Sequence, residues 1–301
     1  MNTSKNINKK VNILFFICLI SILTLAAGAS FLMLASIPIL LAAIGLDYGP
    51  RDLVIVFIGS FLVGLIFESI KSVTLFYIPI LILSLIQIGL IKSKLSDKKQ
   101  ILITFVLTSF IFVAIYKYQM LEQGLTINDM AAELKEVLAP TVEYEIPDEL
   151  YKTSFAMYPS ILSALAMLYS LFSLKIVRNY LAYKNKASDM KNLNKFRISK
   201  REFAIMLAIA AGLYFILSAV LNIEATYISA NLFSIVTLLL ILNGILTYDY
   251  LTMSKAGILS RGMKWFFIII FFYFFMIIFL MLGIADIFVD FRSKPRRIDA
   301  K

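Results

Sequence analysis

Residues 53–67 read LVIVFIGSFLVGLIF and residues 73–91 read VTLFYIPILILSLIQIGLI, two uninterrupted apolar stretches on either side of a short polar turn. At 1.5 Å of rise per residue, an apolar helix of about twenty residues matches the ~30 Å hydrocarbon core of a bilayer. Because lipid offers no partner to unpaired backbone groups, we predict an all-α, polytopic bundle of transmembrane helices. Seven similar stretches predict about nine helices in all, with eight as the alternative: 11–27, 31–46, 101–118, 155–174, 203–221, 227–246 and 265–284.

The composition excludes several classes of protein. Apolar residues make up 60% of the 301 residues, which leaves no room for a separable soluble domain. The chain contains no histidine and a single cysteine, Cys18, so histidine catalysis, a cysteine metal cluster and an intramolecular disulfide are all excluded. No phosphate-binding glycine loop, zinc motif or nucleophile elbow is present. We therefore predict that the protein is not an enzyme and has no catalytic residue, metal site or cofactor.

The distribution of charge predicts the orientation of the helices. The net charge of +10 is concentrated in residues 92–99 and 175–201, whereas residues 119–152 are strongly acidic. Basic loops of membrane proteins face the cytoplasm, so we expect the two basic segments and the amino terminus inside and the acidic loop outside. The basic residues then contact anionic lipid headgroups and other membrane proteins, and nucleic acid is not expected as a partner.

The basic loop also divides the chain. We predict a six-helix bundle over residues 1–178, a cytoplasmic loop over 179–201, and three further helices with a basic tail over 202–301. Within the outer loop, apolar residues at helical spacing after Thr126 and Asp129 predict a short capped helix over 128–139. Three crossings after the basic loop would place Arg292 outside, against the positive-inside tendency.

Few polar residues interrupt the apolar stretches. Glu68 and Lys71 flank a predicted helix end, where they either line the outer mouth of a pocket or extend to water. Gln87, Asn231 and Asn243 are expected to form hydrogen bonds between helices. Asp286 and Asp290 share one helix face and repel each other unless a cation lies nearby. Either they form a solvated helix end, or they have a basic partner elsewhere, for instance in the 175–201 segment if the carboxyl tail is cytoplasmic.

Two segments resemble a known family. SIPILLAAIGLDYGPRD (36–52) and LGIADIFVDFRSK (282–294) are similar to the corresponding segments of the YybS-like family of bacterial membrane proteins. The resemblance implies a multi-pass protein of the bacterial cytoplasmic membrane with structural or interaction roles for the matching residues. These are Pro38, Tyr48 and Gly49 near the start and Leu282, Gly283, Asp286, Asp290, Phe291 and Arg292 at the end.

The first six helices of that family in turn look like the substrate-binding S components of energy-coupling factor transporters. This similarity implies that the protein binds a small molecule or acts in transport, with Gly28, Ser30, Glu68 and Lys71 at the rim of the pocket. S components contact their energising partner through an Ala-x-x-x-Ala step in the first helix, which VNILFFICLISIL (11–23) lacks. The alternative is a scaffold or regulator that assembles with other membrane proteins without transporting anything.

Overall fold

The computed structural model describes residues 2–25, 31–138, 146–186, 190, 193–220, 223–252, 263–264, 268 and 270–293. Regular structure in these residues is entirely helical, which confirms the all-α prediction for the described part of the chain. The chain forms two compact units, one of residues 1–118 with 165–190 and the other of residues 119–164 with 191–301. These units do not coincide with the predicted segments, and the predicted division into folding domains stays a prediction.

Five helices and most of a sixth build the first unit. They are α1 (Asn2–Leu25), α2 (Phe31–Asp47), α3 (Pro50–Phe67), α4 (Ile70–Lys92), α5 (Asp97–Glu122) and the greater part of α8 (Tyr158–Tyr183). The second unit contains α6 (Ile127–Leu138), α7 (Asp148–Ala156), a 3-10 turn (Leu193–Lys195), α9 (Lys200–Ala219), α10 (Ala225–Thr252) and α11 (Phe272–Val289).

The described helices are long and apolar enough for a membrane. Six helical stretches meet the length and composition of a membrane span: Pro50–Phe67, Ile70–Lys92, Asp97–Glu122, Asp148–Tyr183, Lys200–Ala219 and Ala225–Thr252. Three shorter apolar helices, Lys10–Leu25, Ala35–Asp47 and Phe274–Val289, overlap the remaining predicted stretches, the last of them only over 274–284. The chain is thus a multi-pass helical membrane protein, while the exact number of crossings stays a prediction.

Interlocking apolar side chains of α1 to α4 form the core of the first unit. Ile20, Ile37, Leu41 and Val56 are completely buried there. At the α3–α4 contact, the Tyr77 hydroxyl donates a hydrogen bond of 2.9 Å to the Ser60 carbonyl oxygen, and Gly64 lies beside the Tyr77 ring. The small residues Ser60 and Gly64, one helical turn apart, therefore allow a close contact of α3 with α4.

The segment between α2 and α3 is a tight turn. α2 continues through Pro38 as one helix. Gly49 has a φ of 107°, a left-handed conformation that a side chain would disfavour, and α3 begins at the next residue. The Tyr48 hydroxyl accepts a 3.2 Å hydrogen bond from the Asn12 side chain, so this turn is attached to α1.

In the second unit, α10 and α11 approach each other at two glycines. A methyl group on Gly244 would lie 1.8 Å from the Phe279 carbonyl oxygen, and one on Gly283 would lie 2.0 Å from that of Leu240. Both distances are far inside van der Waals contact, so the two backbones meet where only glycine fits. Small residues allow such close packing in membranes, where dispersion and hydrogen bonds replace the hydrophobic driving force.

The acidic segment contains the helix that its sequence predicts. α6 spans Ile127–Leu138, and Thr126 and Asp129 cap its start through reciprocal hydrogen bonds of 2.8 and 3.2 Å. Lys135 of α6 pairs with Asp148 of α7 at 2.7 Å, with both side chains exposed. An exposed pair of this kind contributes little to stability, so α6 and α7 are held mainly by their apolar contacts.

Candidate functional site

The interior of the first unit contains polar side chains from three helices. Gln87 of α4, Thr108 of α5 and Ser173 of α8 are completely buried, and Tyr169 of α8 is 6% exposed. The Gln87 side-chain amide donates a 2.5 Å hydrogen bond to the Tyr169 hydroxyl. The hydrogen-bonding role predicted for Gln87 is therefore observed, and we name Gln87, Thr108, Tyr169 and Ser173 the interior polar site.

Two contacts establish the register of α5 against α8. The Phe112 and Tyr169 rings lie 6.2 Å apart, and Asp97 forms an ion pair with Arg178. The two helices are therefore antiparallel. Thr108 precedes Phe112 by one helical turn and Ser173 follows Tyr169 by one turn, so Thr108 and Ser173 lie at the same depth, on the ion-pair side of the rings.

Several atoms of this site lack hydrogen bonds. Gln87 Oε1, Thr108 Oγ1 and Ser173 Oγ are buried without a hydrogen-bond partner. The Ser173 hydroxyl lies close enough to the Tyr169 hydroxyl to interact with it, so Ser173 Oγ is the least isolated of the three atoms. A buried donor or acceptor that lacks a hydrogen bond costs about 1–3 kcal/mol, so such atoms lower the local stability. A water molecule or a polar ligand among them would remove that cost.

Two other buried hydroxyls of α4 and α5 do form hydrogen bonds. Ser84 donates to the Ile80 carbonyl oxygen at 2.7 Å, and Thr104 donates to that of Gln100 at 2.9 Å. Both side chains are completely buried. Ser and Thr hydroxyls in membrane helices commonly donate a hydrogen bond in this way, to the carbonyl oxygen one turn earlier. Thr108 and Ser173 do not, although the same partners are available in their own helices.

The residues predicted to form the pocket rim lie elsewhere. Glu68 and Lys71 are exposed; Glu68 lies in the turn between α3 and α4, and Lys71 lies in the first turn of α4, whose start Ser69 caps. Gly28 and Ser30 lie outside the described residues. A ligand role for these four residues stays a prediction.

A second polar cluster lies at the carboxyl end of α11. The Arg292 guanidinium is 3.3 Å from the Asp286 carboxylate, with side chains that are only 4% and 0% exposed. The guanidinium also donates to the carbonyl oxygen of Asn243 at 2.8 Å and to the Thr247 hydroxyl at 2.5 Å. It forms a further hydrogen bond with the Phe196 carbonyl oxygen. Arg292 thus joins α10, α11 and the segment before α9.

The helix end explains how Arg292 reaches Asp286. On a continuous helix Arg292 would lie two residues beyond Asp290 and could not easily serve both aspartates, but α11 ends at Val289. Asp290 has a φ of 55°, so the chain folds back, and the Phe291 amide donates to the Asp286 carboxylate at 3.2 Å. Aspartate tolerates this left-handed conformation better than most residues. The fold-back places the guanidinium against the carboxylate.

The predicted basic partner from the 175–201 segment is present. Arg197 forms an ion pair with Asp290, and the Ser293 amide donates to the same carboxylate at 3.1 Å. Burial raises the pKa of Asp290, but the hydrogen bonds from Arg197 and Ser293 outweigh it and lower the pKa below its ordinary value. The two aspartates therefore each have their own arginine, which removes the repulsion that their spacing implies.

Further contacts of this cluster show at which end of the second unit α11 finishes. The Tyr250 hydroxyl donates to the Arg292 carbonyl oxygen at 3.3 Å, and Asn243 accepts from the Ile198 amide at 3.2 Å. Residues 290–293 therefore lie at the same end of the second unit as the start of α9 and the end of α10. Counting three full crossings had put Arg292 at the opposite end from the basic segment, and these contacts correct that expectation.

Sequence reasoning identified one part of these sites and missed another. It selected Asp286, Asp290, Arg292 and Asn243, and the Asn243 amide does bridge helices by donating to the Gly283 carbonyl oxygen at 2.9 Å. It did not select Thr108, Tyr169 or Ser173. The available signal was the spacing of Gln100, Thr104 and Thr108, which places three polar side chains on one face of an otherwise apolar helix.

The described residues contain no group of acidic or cysteine side chains that could hold a metal ion. No protein-family model matches the chain, and searches of curated proteins and of solved structures find no match either. The similarity to YybS-like proteins and to S components therefore stays a prediction based on short motifs. What the chain is established to be is a multi-pass helical membrane protein with a polar interior in its first unit.

Proposed function

We propose that the first unit binds a small, uncharged polar molecule at the interior polar site, and that the protein acts in the transport or sensing of that molecule in a bacterial cytoplasmic membrane. The observation that supports this is that α4, α5 and α8 each bury a polar atom without a full hydrogen bond, two of them beside the Tyr169 hydroxyl. A ligand needs polar groups that face inward from several helices, and a protein that only forms contacts at its surface does not.

The polar atoms define the kind of ligand that fits. Because the Tyr169 hydroxyl accepts a hydrogen bond from Gln87, its own proton is available to a neighbour. Gln87 Oε1 is an acceptor, and the Thr108 and Ser173 hydroxyls both donate and accept. All four side chains are uncharged at neutral pH. An ion buried among them would lack a counter-charge, so the site favours a neutral molecule with both donors and acceptors.

The experiment compares retention of small molecules by matched variants. Thr108→Val and Ser173→Ala remove unpaired hydroxyls with little change of shape, whereas Thr104→Val removes a satisfied one at a similar depth. The unaltered protein and Thr104→Val should release the same compound on denaturation, detected by mass spectrometry after purification in detergent. Thr108→Val and Ser173→Ala should release at least tenfold less. Equal release by all variants, or none by the unaltered protein, would contradict the proposal.

Stability gives an independent readout of the same site. In ligand-free protein, removing an unpaired buried hydroxyl should increase the free energy of unfolding by about 1–3 kcal/mol per group. Functional sites commonly contain groups that lower the stability of the folded protein. Thr104→Val should change the free energy of unfolding little. A loss of stability in Thr108→Val would show that its hydroxyl has a structural partner instead.

A scaffold or regulator is the second candidate, and one observation favours it. α9 is a 20-residue apolar helix, and none of its residues is buried. Ala204, Ala208 and Gly212 form an exposed row of small residues on it. This face contacts either lipid or another membrane protein. Stoichiometric co-purification of one protein, lost in Ala208→Trp while small-molecule release is unchanged, would support the scaffold.

A further inference from the structure

A row of polar residues connects the interior polar site with one end of the first unit. Gln100, Thr104 and Thr108 follow each other at four-residue intervals on α5, and their exposed fractions are 3%, 0% and 0%. Each interval corresponds to about 6 Å along the helix. The row ends beside Asp97, whose ion pair with Arg178 is nearly buried, with side chains 17% and 11% exposed.

In the opposite direction α8 is apolar within this unit, and on α4 the buried hydroxyl of Ser84 is already occupied by the Ile80 carbonyl oxygen. Beyond the contact of the Phe112 and Tyr169 rings, the next buried residues of α8 in this unit are Met167 and Ala166. A polar molecule that left the site in this direction would have to pass the two rings and then apolar side chains. A molecule leaving towards Asp97 would meet hydroxyl and amide groups at each turn of α5. Gln100 Oε1 is buried without a hydrogen-bond partner, like Thr108 Oγ1.

From the row of polar residues that leads towards Asp97, we infer that small uncharged solutes, water included, enter and leave the interior polar site at the end of the bundle that holds Asp97 and Arg178. The inference rests on the proposed function and adds the route and its selectivity. The Asp97–Arg178 pair closes the route, and its charges cancel. A charged solute would have to separate this pair and then lose its hydration among neutral groups, which is costly in a medium of low dielectric constant.

Cysteine accessibility tests the route. The background is Cys18→Ala, which removes the only cysteine. Thr108→Cys and the nearly isosteric Ser173→Cys report on the site, and Val106→Cys, at a position of α5 that is 55% exposed, reports on the lipid-facing surface. Lys186→Cys marks the end that holds the ion pair, and Glu68→Cys, in the α3–α4 turn, marks the other end. These two markers make the test independent of the orientation of the protein in the membrane.

The probes are two thiosulfonate reagents, the uncharged hydroxyethyl compound and the negatively charged sulfonatoethyl compound. They are added to sealed right-side-out and inside-out vesicles that contain glutathione, which destroys any reagent that crosses the membrane. We expect the uncharged reagent to modify Thr108→Cys and Ser173→Cys at least tenfold faster than Val106→Cys, and only in the vesicles where Lys186→Cys is accessible. The charged reagent should react with Lys186→Cys but at least tenfold more slowly with the two site cysteines.

The possible results distinguish a wrong route from a wrong site. Arg178→Gln should accelerate modification of Thr108→Cys by the uncharged reagent, because it removes half of the closing pair. Modification only from the side where Glu68→Cys is accessible would overturn the inferred route and leave the site intact. Unreactive site cysteines in a protein that still releases a bound compound would also overturn the route. Unreactive cysteines in a protein that releases no compound would overturn both route and site.

Discussion

Replacing Arg292 by methionine should strongly destabilise the second unit. Methionine fills a similar length of the side-chain site but leaves the Asp286 carboxylate, which is fully buried, without its cation. Removing one partner of a buried ion pair typically costs about 3–5 kcal/mol, because the remaining charge is desolvated and uncompensated. The hydrogen bonds to Asn243 and Thr247 are lost as well, so we expect a decrease in the free energy of unfolding at the upper end of this range.

The assay is unfolding in mixed micelles with an increasing fraction of denaturing detergent. Arg201→Gln removes an exposed arginine and should change the free energy of unfolding by no more than about 0.5 kcal/mol. The double variant Arg292→Met with Asp286→Leu removes both charges, so it should recover at least half of the loss. If Arg292→Met behaved like Arg201→Gln, or if Asp286→Leu added its full cost to Arg292→Met, the buried pair would not be the cause.

Three further predictions concern the second unit. Gly283→Ala should abolish correct packing of α10 against α11, since its methyl group would overlap the Leu240 carbonyl oxygen, whereas Gly212→Ala, with no atom within 4 Å, should be tolerated in the same thermal assay. Because the pKa of Asp290 is lowered in the folded protein, its contribution to stability should be complete above its ordinary value of 3.8 and disappear as the pH falls further. A pH titration of stability in Asp290→Asn should lack this step. In a protein without Cys18, impermeant thiol reagents should label Ser293→Cys from the same side as Lys195→Cys, and labelling from opposite sides would contradict the placement of the α11 end.

The apolar stretches predicted the helices because hydrocarbon imposes one requirement on every spanning segment: its backbone N–H and C=O groups must form hydrogen bonds with each other. This requirement is local, so continuous apolar residues such as 53–67 and 73–91 were sufficient to place α3 and α4. The short helix α6 was also predictable, since Thr126 and Asp129 provide its cap from nearby positions. Such features do not depend on which helices are neighbours.

The interior polar site, in contrast, depends on which helices are neighbours. Thr108 and Ser173 are 65 positions apart in the chain, and only the antiparallel register of α5 and α8 brings them to one depth. A single Thr or Ser in an apolar helix usually donates to its own backbone, so neither residue indicates a site by itself. Gln87 was selected because an amide cannot satisfy itself in this way, but its partner Tyr169 could not be identified from the sequence.

At the carboxyl end of α11, the sequence predicted the charges correctly but not the course of the backbone. The charges of Asp286, Asp290 and Arg292 predicted correctly that more than one cation was needed. The wrong step was the assumption of a continuous helix, because whether an aspartate adopts a left-handed conformation is decided by its contacts. The fold-back at Asp290 then determined which arginine pairs with which carboxylate, and also the end of the unit at which residues 290–293 lie.

The most direct test of the central claim is a cryo-electron-microscopy map of the purified protein at a resolution that shows ordered water molecules. We predict density for a non-protein group within hydrogen-bonding distance of at least two of Gln87 Oε1, Thr108 Oγ1 and Ser173 Oγ. This density should be absent in Thr108→Val and present in Thr104→Val. A map with no such density, in which the Thr108 and Ser173 hydroxyls instead donate to carbonyl oxygens of their own helices, would contradict the account.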